Sequence, residues 1–410
     1  MELLSPAGNL EKLRIAYRYG ADAAYIGVRE FSLRSAADTI ISPSEADDEA
    51  TVETLHRLKQ TDNRPRRLYA ALNLFAQQED LKRLPEVLKR LAHFPIDALI
   101  IADIGLVEMV RRYLPDMELH LSTQANCTNS EAARLYHRIG FSRIVAAREL
   151  TLPEISEIRN AVPEVELEVF VHGAMCMSYS GRCFLSSEMT GRSANRGDCA
   201  HSCRWRYALN EEKRPGEYYP IEEDGRFSTI LSSRDLMLYD HIEKLRDAGV
   251  TAAKIEGRMK SSLYTAIATA AYRRTLDGGH DDTWRNLLFD LPHRSYTTGF
   301  LLGDETVHRP AKDTPSAHIR LMGILGPPDP DGPSLDARNT IYIGDALTAL
   351  LPDGTVQTVT VTELYDQDGS STERAIQGVP AAARFEPPLP APAVQDGILV
   401  KYVLAPNRGR

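Results

Sequence analysis

The chain has 410 residues, of which 43% are hydrophobic and 26% charged, and its net charge at neutral pH is −9. This composition excludes a disordered or fibrous chain, and the length suits one large domain with a smaller appendage. The acidic balance argues against a generally basic nucleic-acid binder, although a local basic patch remains open. No apolar run approaches the roughly 20 residues that span a bilayer, and the opening MELLSPAGNLEKLR lacks a signal pattern. We therefore expect a cytoplasmic protein without membrane association.

Short apolar runs alternate with amphipathic segments along the first two thirds of the chain. Strands are predicted over 2–4, 23–27, 67–73, 98–103, 118–124, 142–148, 166–172 and 252–256. Helical period marks 79–92, 130–139, 153–160 and 234–248, and a last barrel helix is predicted over 260–276. Eight strand-helix units with parallel strands are what closes a TIM (β/α)8 barrel. An open doubly wound sheet is the alternative, weakened because SPAG follows the first strand where a Gly-x-Gly-x-x-Gly loop would stand.

The carboxy-terminal part changes to short strand-like runs with Gly, Pro and Asp turns. The predicted architecture is a TIM-barrel domain over 1–280, a linker over 281–316 and a small β-barrel domain over 317–410. About 60 residues separate the seventh strand from the next predicted helix, much longer than an ordinary βα loop. This cysteine-rich insertion, 174–230, follows a strand, so we expect it on the active face of the barrel.

Four of the five cysteines lie within the insertion. Cys176, Cys183, Cys199 and Cys203 are separated by six, fifteen and three residues. Disulfides are disfavoured in the cytoplasm, so four clustered thiols suggest a metal site or redox chemistry. The two-residue spacing of zinc ribbons is missing, which favours an iron-sulfur cluster, here [4Fe-4S], with zinc as the alternative.

A simpler interpretation is that the four cysteines are scattered buried thiols, since free cysteine behaves as a small hydrophobe. Their neighbours include Gly181, Arg182, Asp198 and His201, which argues against burial in apolar segments. Cys127 stands alone in STQANCTNS, and here simple packing is the expectation.

Basic and aromatic residues surround the thiols. Residues 182–206 carry a surplus of three positive charges, and Trp205 and Tyr207 alternate with Arg204 and Arg206. Arginine with exposed aromatic residues suits phosphate binding and stacking on unpaired bases. An equally good interpretation of this short segment is that the arginines face solvent and the aromatic residues pack in the core.

Polar residues at other predicted strand ends are expected at the same barrel mouth, where they would form a pocket for an anionic small molecule. They are Asn73, Asp103, Gln124, Arg148, Glu149, His172, Glu256 and Arg258. Arg148 and Arg258 are candidate carboxylate clamps. We assign His172, Glu256 and Arg258 as candidate catalytic residues. The candidate substrate-binding residues are Asn73, Gln124, Arg148, Arg204 and Arg206.

The stretch from Glu168 to Cys176, EVFVHGAMC, followed by GRCFLS at 181–186, resembles the signature of the collagenase-like peptidase family U32. Further stretches resemble the branch of that family concerned with tRNA hydroxylation, among them ELLSPAG, LHLSTQANCTN, SSRDL and KIEGRMKS. The resemblance covers roughly residues 1–300, and the carboxy-terminal part is similar to the accessory domain of the branch.

The resemblance implies an iron-sulfur protein for 5-hydroxyuridine formation at the tRNA wobble position, in a prephenate-dependent pathway. It implies Cys176, Cys183, Cys199 and Cys203 as cluster ligands, tRNA as partner through its anticodon loop, and no role for DNA. Relatives in the family modify a ribosomal RNA cytidine or a quinone precursor, so another RNA or a quinone precursor is an alternative substrate.

The family name also raises a peptidase as a rival hypothesis. The sequence has no His-Glu-x-x-His helix and no Gly-x-Ser-x-Gly elbow. Cys183 with His172 or His201 would supply a thiol and a base, but a catalytic cysteine does not need three more beside it. A non-enzymatic RNA-binding or cluster-scaffold subunit is the remaining alternative.

Overall fold

The computed structural model describes two compact units. The described residues are 1–28, 31–32, 40–41, 48–176, 182–196, 198–205, 209–210, 218–219, 234–303, 317–329, 332–391 and 393–403. The first unit comprises Met1–Tyr17, Ala21–Lys260 and Arg294–Thr314. The second comprises Arg18–Gly20, Ser261–His293 and Pro315–Arg410.

The first unit is built on a closed barrel of eight parallel strands. They are β1 Glu2–Pro6, β2 Ala23–Gly27, β3 Arg67–Leu72, β4 Ala98–Ile101, β5 Glu118–Leu121, β6 Arg143–Val145, β7 Glu166–Ala174 and β11 Ala252–Ile255. Each strand pairs with the next, and β11 pairs with both β7 and β1, which closes the ring. All eight predicted strands and the predicted TIM barrel are confirmed.

Helices cross between the strands, as parallel pairing requires. They are α1 Leu10–Arg18, α2 Asp48–Lys59, α3 Gln78–Leu91, α4 Val107–Tyr113, α5 Ser130–Arg138, α6 Leu152–Ala161 and α8 Ile242–Asp247. Local sequence explains where several begin. The Asn129 side chain accepts from the Ala132 N–H at the start of α5. Thr151 and Glu154 form a capping box at the start of α6.

A buried network of charges occupies the barrel near the amino-terminal ends of its strands. The guanidinium of Arg143, only 2% exposed, bonds Glu2 at 2.5 Å, Glu166 at 2.6 Å and Glu168 at 3.3 Å. Lys254 bonds the other Glu168 oxygen at 2.6 Å. Charges at this end of a TIM barrel serve stability, because catalysis uses the opposite face.

The insertion is rooted on an antiparallel stem that the sequence did not predict. After β7 the chain returns as β10 Asp235–Met237, with Ala174 opposite Asp235 and Gly173 opposite Leu236. The predicted helix over 234–248 is therefore wrong in its first part, and a 3-10 turn over Tyr239–His241 followed by α8 is what remains helical. In so short a segment, the apolar residues Leu236 and Leu238 fit the period of a strand as well as that of a helix. The pairing with β7 makes this segment a strand.

Other elements of the insertion and its surroundings are short. The insertion contains α7 Leu185–Thr190, 3-10 turns Ala194–Arg196 and Ser202–Arg204, and the pair β8 Leu209–Asn210 and β9 Tyr218–Tyr219. Strand β12 Tyr296–Thr297 pairs in parallel with β10. It lies within the range expected to be a linker.

The second unit contains a six-stranded closed antiparallel barrel. Its elements are α9 Ser262–Leu276, α10 Asp282–Asp290, β13 Ile319–Asp329, β14 Gly332–Ala337, β15 Ile341–Tyr342, β16 Ala346–Leu350, β17 Val356–Asp366, β18 Arg374–Ala375, β19 Pro380–Glu386 and β20 Ile398–Tyr402. The barrel order is β13-β14-β19-β17-β16-β20, and β15 pairs with β18 apart from it. Buried Leu325, Leu335, Leu347 and Leu399 fill the interior. The predicted small β-barrel is confirmed.

Across the described ranges, no helix is both long enough and apolar enough to traverse a lipid bilayer.

Candidate functional site at the barrel mouth

Arg148 follows β6 and lies at the carboxyl end of the barrel, where the active sites of TIM barrels form. Its side chain is 10% exposed, and its guanidinium carbon stands 4.1 Å from the centre of the Phe170 ring. Nη1 lies 3.7 Å from the Cys176 sulfur, and Nη2 lies 3.9 Å from a Glu256 carboxylate oxygen. The structure thus brings together three residues that the sequence predicted for the site.

Glu256 follows β11 at the barrel mouth, and its carboxylate contacts a side chain of β2. The Tyr25 hydroxyl lies 3.4 Å from the Glu256 carboxylate and donates to the Ile255 carbonyl at 3.0 Å. The Lys254 ammonium lies 4.6 Å from the Tyr25 ring centre. A carboxylate supported in this way has a fixed direction at the mouth.

Arg258 is held by close packing against a glycine. It is buried, and a methyl group placed on Gly27 would stand 2.2 Å from its Nη1. A methyl group on Gly8 would stand 2.5 Å from the Arg258 carbonyl oxygen. The small residues in GADAAYIG and SPAG therefore leave room for Arg258 at the end of β2.

His172, on β7, is buried at the stem of the insertion. Its ring lies 5.6 Å from that of Tyr296, between ring centres, and its carbonyl accepts from the Glu256 N–H at 2.9 Å. Burial, with a further contribution from Asp235, raises the pKa of Tyr296 above its ordinary value, so its hydroxyl stays protonated. The backbones of His172 and Glu256, two of the three candidate catalytic residues, are therefore adjacent where β7 and β11 pair.

A buried ion pair fixes the stem beside His172. Asp235 accepts from the Arg294 guanidinium at 2.5 and 3.2 Å and from the Arg294 backbone N–H at 3.0 Å. Burial alone would raise the pKa of Asp235, but the charge and hydrogen bonds of Arg294 outweigh it and hold that pKa below the usual range. Arg294 lies in HRSYTTGF, whose role in the site the sequence did not indicate.

Of the remaining predicted binding residues, two have described side chains and two do not. Asn73 and Gln124 are half-buried just after β3 and β5, at the same end of the barrel. Arg204 ends a 3-10 turn of the insertion, but its side chain lies outside the described residues, as does the whole of Arg206.

The insertion carries three of its cysteines on a hydrogen-bonded scaffold around α7. The Asn195 side chain donates to the Cys183 carbonyl at 2.9 Å and accepts from the Cys183 N–H at 3.2 Å. The Ser186 hydroxyl, one residue into α7, accepts from the Ala200 N–H at 2.9 Å, beside Cys199. These contacts tie the flanks of the thiols together.

The donor chemistry of the four thiols fits a cluster. Cys176 is exposed and Cys183, Cys199 and Cys203 are half-buried, and none forms a disulfide. Within the described ranges, no three His, Cys, Asp or Glu side chains are gathered as a metal-binding group. The four thiols are therefore at least partly accessible and suited by type to a metal, but the described side chains are not gathered into one coordination sphere.

Cys127 differs from these four in its burial. It is 1% exposed, and burial raises the pKa of its thiol to about 11. A thiol that stays protonated and enclosed is a poor metal ligand. The expectation that Cys127 packs in the core is confirmed.

The insertion also presents large apolar side chains to solvent. Phe184 is 76% exposed, and Met189 and Trp205 are each more than 40% exposed. Arg192, in the same segment, is exposed and pairs with Asp198 at 2.7 Å. Exposed aromatic side chains together with arginine are typical of surfaces that stack on unpaired bases. Trp205 was expected here from the sequence, whereas the exposure of Phe184 was not.

The fold and the site define a TIM-barrel protein with thiols and arginines at its active face. The chain belongs to the U32 family, since the model described as "Peptidase family U32" matches residues 8–310. It is 34% identical over 403 residues to "tRNA hydroxylation protein P" of Escherichia coli (strain K12), with 87% of each chain covered.

Two further relatives bear different names. "tRNA hydroxylation protein P1" of Bacillus subtilis (strain 168) is 36% identical over 389 residues, covering 91% of this chain and 89% of the relative. A protein named "Collagenase" of Porphyromonas gingivalis (strain ATCC BAA-308 / W83) is 30% identical over 330 residues, covering 75% and 76%. The resemblance to the tRNA-hydroxylation branch of the family is confirmed.

Proposed function

We propose that this protein hydroxylates RNA, and specifically that it forms 5-hydroxyuridine at the wobble position of tRNA. The observation that carries the proposal is the meeting of Arg148, Glu256 and Cys176 at the mouth of a barrel whose near-full-length relatives are named for tRNA hydroxylation. A wobble base is unpaired, so it enters such a mouth without the cost of opening a duplex.

The proposed cofactor is a [4Fe-4S] cluster held by Cys176, Cys183, Cys199 and Cys203, with zinc as the alternative metal. Four thiols that are at least partly accessible, none of them in a disulfide, support it. Such a cluster supplies one-electron transfer when bound, or organises the loop that holds it.

The proposed roles of the side chains follow from their positions. Arg148 and Arg258 hold anionic groups at the mouth, and His172 and Glu256 are the titratable pair beside them. Phe184 and Trp205 offer stacking surfaces to anticodon-loop bases. Because the mouth has two arginines, a small carboxylate such as prephenate, or a compound derived from it, is the proposed second partner.

Mass spectrometry of tRNA nucleosides tests the proposal. In a strain lacking this gene and any redundant route, 5-hydroxyuridine is expected to disappear and to return when the gene is restored. The anaerobically purified protein is expected to be brown and to absorb near 400 nm. Unchanged 5-hydroxyuridine would remove the tRNA assignment, and a colourless zinc protein would remove the cluster.

A peptidase is the second candidate, favoured by the relative named "Collagenase" and by one contact. The Cys199 sulfur lies 4.0 Å from Nδ1 of His201, so a thiol and a candidate base are neighbours in the insertion. Gelatin cleavage by the purified chain, lost on Cys199→Ser, would favour this candidate.

Gly27→Ala is expected to impair the reaction more than the fold. The added methyl group meets the far end of Arg258, which moves to escape it, so the loss of stability is about 1–3 kcal/mol. Displacing that guanidinium removes the proposed anion clamp. Urea unfolding together with 5-hydroxyuridine levels measures both effects. Gly344→Ala, between β15 and β16 of the second unit, is the control, because nothing lies within 4 Å of a methyl group there and its positive φ puts the strain outside the proposed site.

A further inference from the structure

Arg148 carries a charge that its protein contacts neutralise only partly. Its nearest carboxylate is at 3.9 Å, beyond hydrogen-bond range, and its Nε is buried without a hydrogen-bond partner among the described residues. The cavity beside it is otherwise apolar, lined by Phe170, Met175, Leu236 and Phe300 among others. A cation whose side chain is only 10% exposed and whose nearest carboxylate is 3.9 Å away is costly, so its retention points to an anion that belongs next to it.

As a thiolate ligand of the proposed cluster, the Cys176 sulfur is the group best placed to be that anion. It lies 3.7 Å from Nη1, so this proposed ligand contacts a side chain of the barrel mouth directly. Stacking of the guanidinium on Phe170 fixes the direction in which Nη1 points. The contact therefore joins the barrel mouth to the first cysteine of the insertion, two residues after the end of β7.

We propose that Arg148 is a positioning residue that raises the reduction potential of the cluster through Cys176, and that Glu256 opposes it. The inference rests on the proposed cluster. A cation or hydrogen-bond donor at a ligand sulfur stabilises the more negative, reduced cluster. Glu256 partly cancels the Arg148 charge at 3.9 Å, so it lowers the potential.

This arrangement links the cluster to the ligand at the mouth. An anion that binds Arg148 draws the guanidinium charge away from Cys176, so it lowers the potential. By reciprocity, reduction of the cluster weakens the binding of that anion. Reduction of the proposed cluster takes one electron from an external reductant, and no bond to carbon forms or breaks.

A redox titration followed by electron paramagnetic resonance tests the inference on the anaerobic full-length protein, with dithionite and mediators as reductant. Arg148→Gln is expected to shift the potential to more negative values, Glu256→Gln to more positive values, and Arg148→Lys to stay closer to wild type. Arg134→Gln is the matched control, because Arg134 pairs with Glu131 on the surface of α5. Iron and sulfide per chain are measured on every variant.

The outcomes separate this inference from the proposed function. Opposite shifts for Arg148→Gln and Glu256→Gln, with Arg134→Gln unchanged, support it. A wild-type cluster whose potential is the same in Arg148→Gln and Glu256→Gln overturns the inference alone. A wild-type chain that binds no iron and sulfide overturns the cofactor and the inference together. If Arg148→Gln does not fold, the upward shift in Glu256→Gln decides.

Discussion

Arg143→Met is expected to destabilise the protein by about 3–5 kcal/mol, the cost of leaving buried carboxylates without their cation. Arg143 is 2% exposed and touches Glu2, Glu166 and Glu168, of which Glu168 is fully buried. Methionine fills much of the volume but leaves these charges uncompensated. Urea unfolding followed by far-ultraviolet circular dichroism measures the loss.

Arg67→Met is the matched control. Arg67 also begins a barrel strand and also pairs with a glutamate, Glu118 at 2.6 Å, but its side chain is 36% exposed. An exposed pair of this kind contributes about 1 kcal/mol or less. Equal losses in the two variants would contradict the proposed importance of burial.

The pH dependence gives Arg143→Met a second readout. Burial by itself raises the pKa of Glu168, but Lys254 and Arg143 outweigh it and hold that pKa below the ordinary value. The unfolded chain then binds the proton more readily, so this stability is present above about pH 4.3 and is lost as the pH falls further. The urea midpoint of Arg143→Met is expected to depend less on pH over that range.

Cys176→Ser and Cys183→Ser are each expected to abolish cluster binding and to reduce 5-hydroxyuridine to the level of the deletion strain. Serine keeps the size of the side chain but replaces the soft thiolate that iron-sulfur clusters require. Iron and sulfide content of the purified protein and nucleoside mass spectrometry measure the two effects. A variant that keeps its iron but loses the modification would show that the thiol acts in another way.

Cys127→Ala is the internal control for this series. Its thiol is enclosed in the core and stays protonated, so its removal is expected to leave iron content and 5-hydroxyuridine unchanged, at a cost of about 1 kcal/mol in stability. Loss of iron in this variant would mean that the assignment of ligands is wrong.

The barrel could be predicted because its signals are local. Each strand is a short apolar run ended by a polar residue, and each crossover helix repeats its apolar positions every three or four residues. Strand β10 has three residues and takes its conformation from β7, so its own pattern was too short to show it. The same holds for β12, whose partner is 61 residues away along the chain.

The site was predictable as a set of residues but not as a set of contacts. Strand ends indicated Arg148, Glu256 and His172, because parallel strands bring their carboxyl ends to one face. The 3.7 Å approach of Arg148 to Cys176 depends on how β6 and β7 lie side by side, which no local pattern encodes. The burial of Arg143 could not be predicted from the sequence either, since a charged residue that starts a strand usually faces solvent.

The stem formed by β7 and β10 has an evolutionary consequence. The two ends of the cysteine-rich segment leave the barrel from directly opposed residues, Ala174 and Asp235, with the Asp235 and Arg294 pair locking the exit. Lengthening a loop whose ends are already joined adds little entropic cost, about 0.6 kcal/mol per doubling. Descendants of this scaffold are thus free to exchange or elaborate the segment, and so to acquire new substrates, while the underlying barrel stays unchanged.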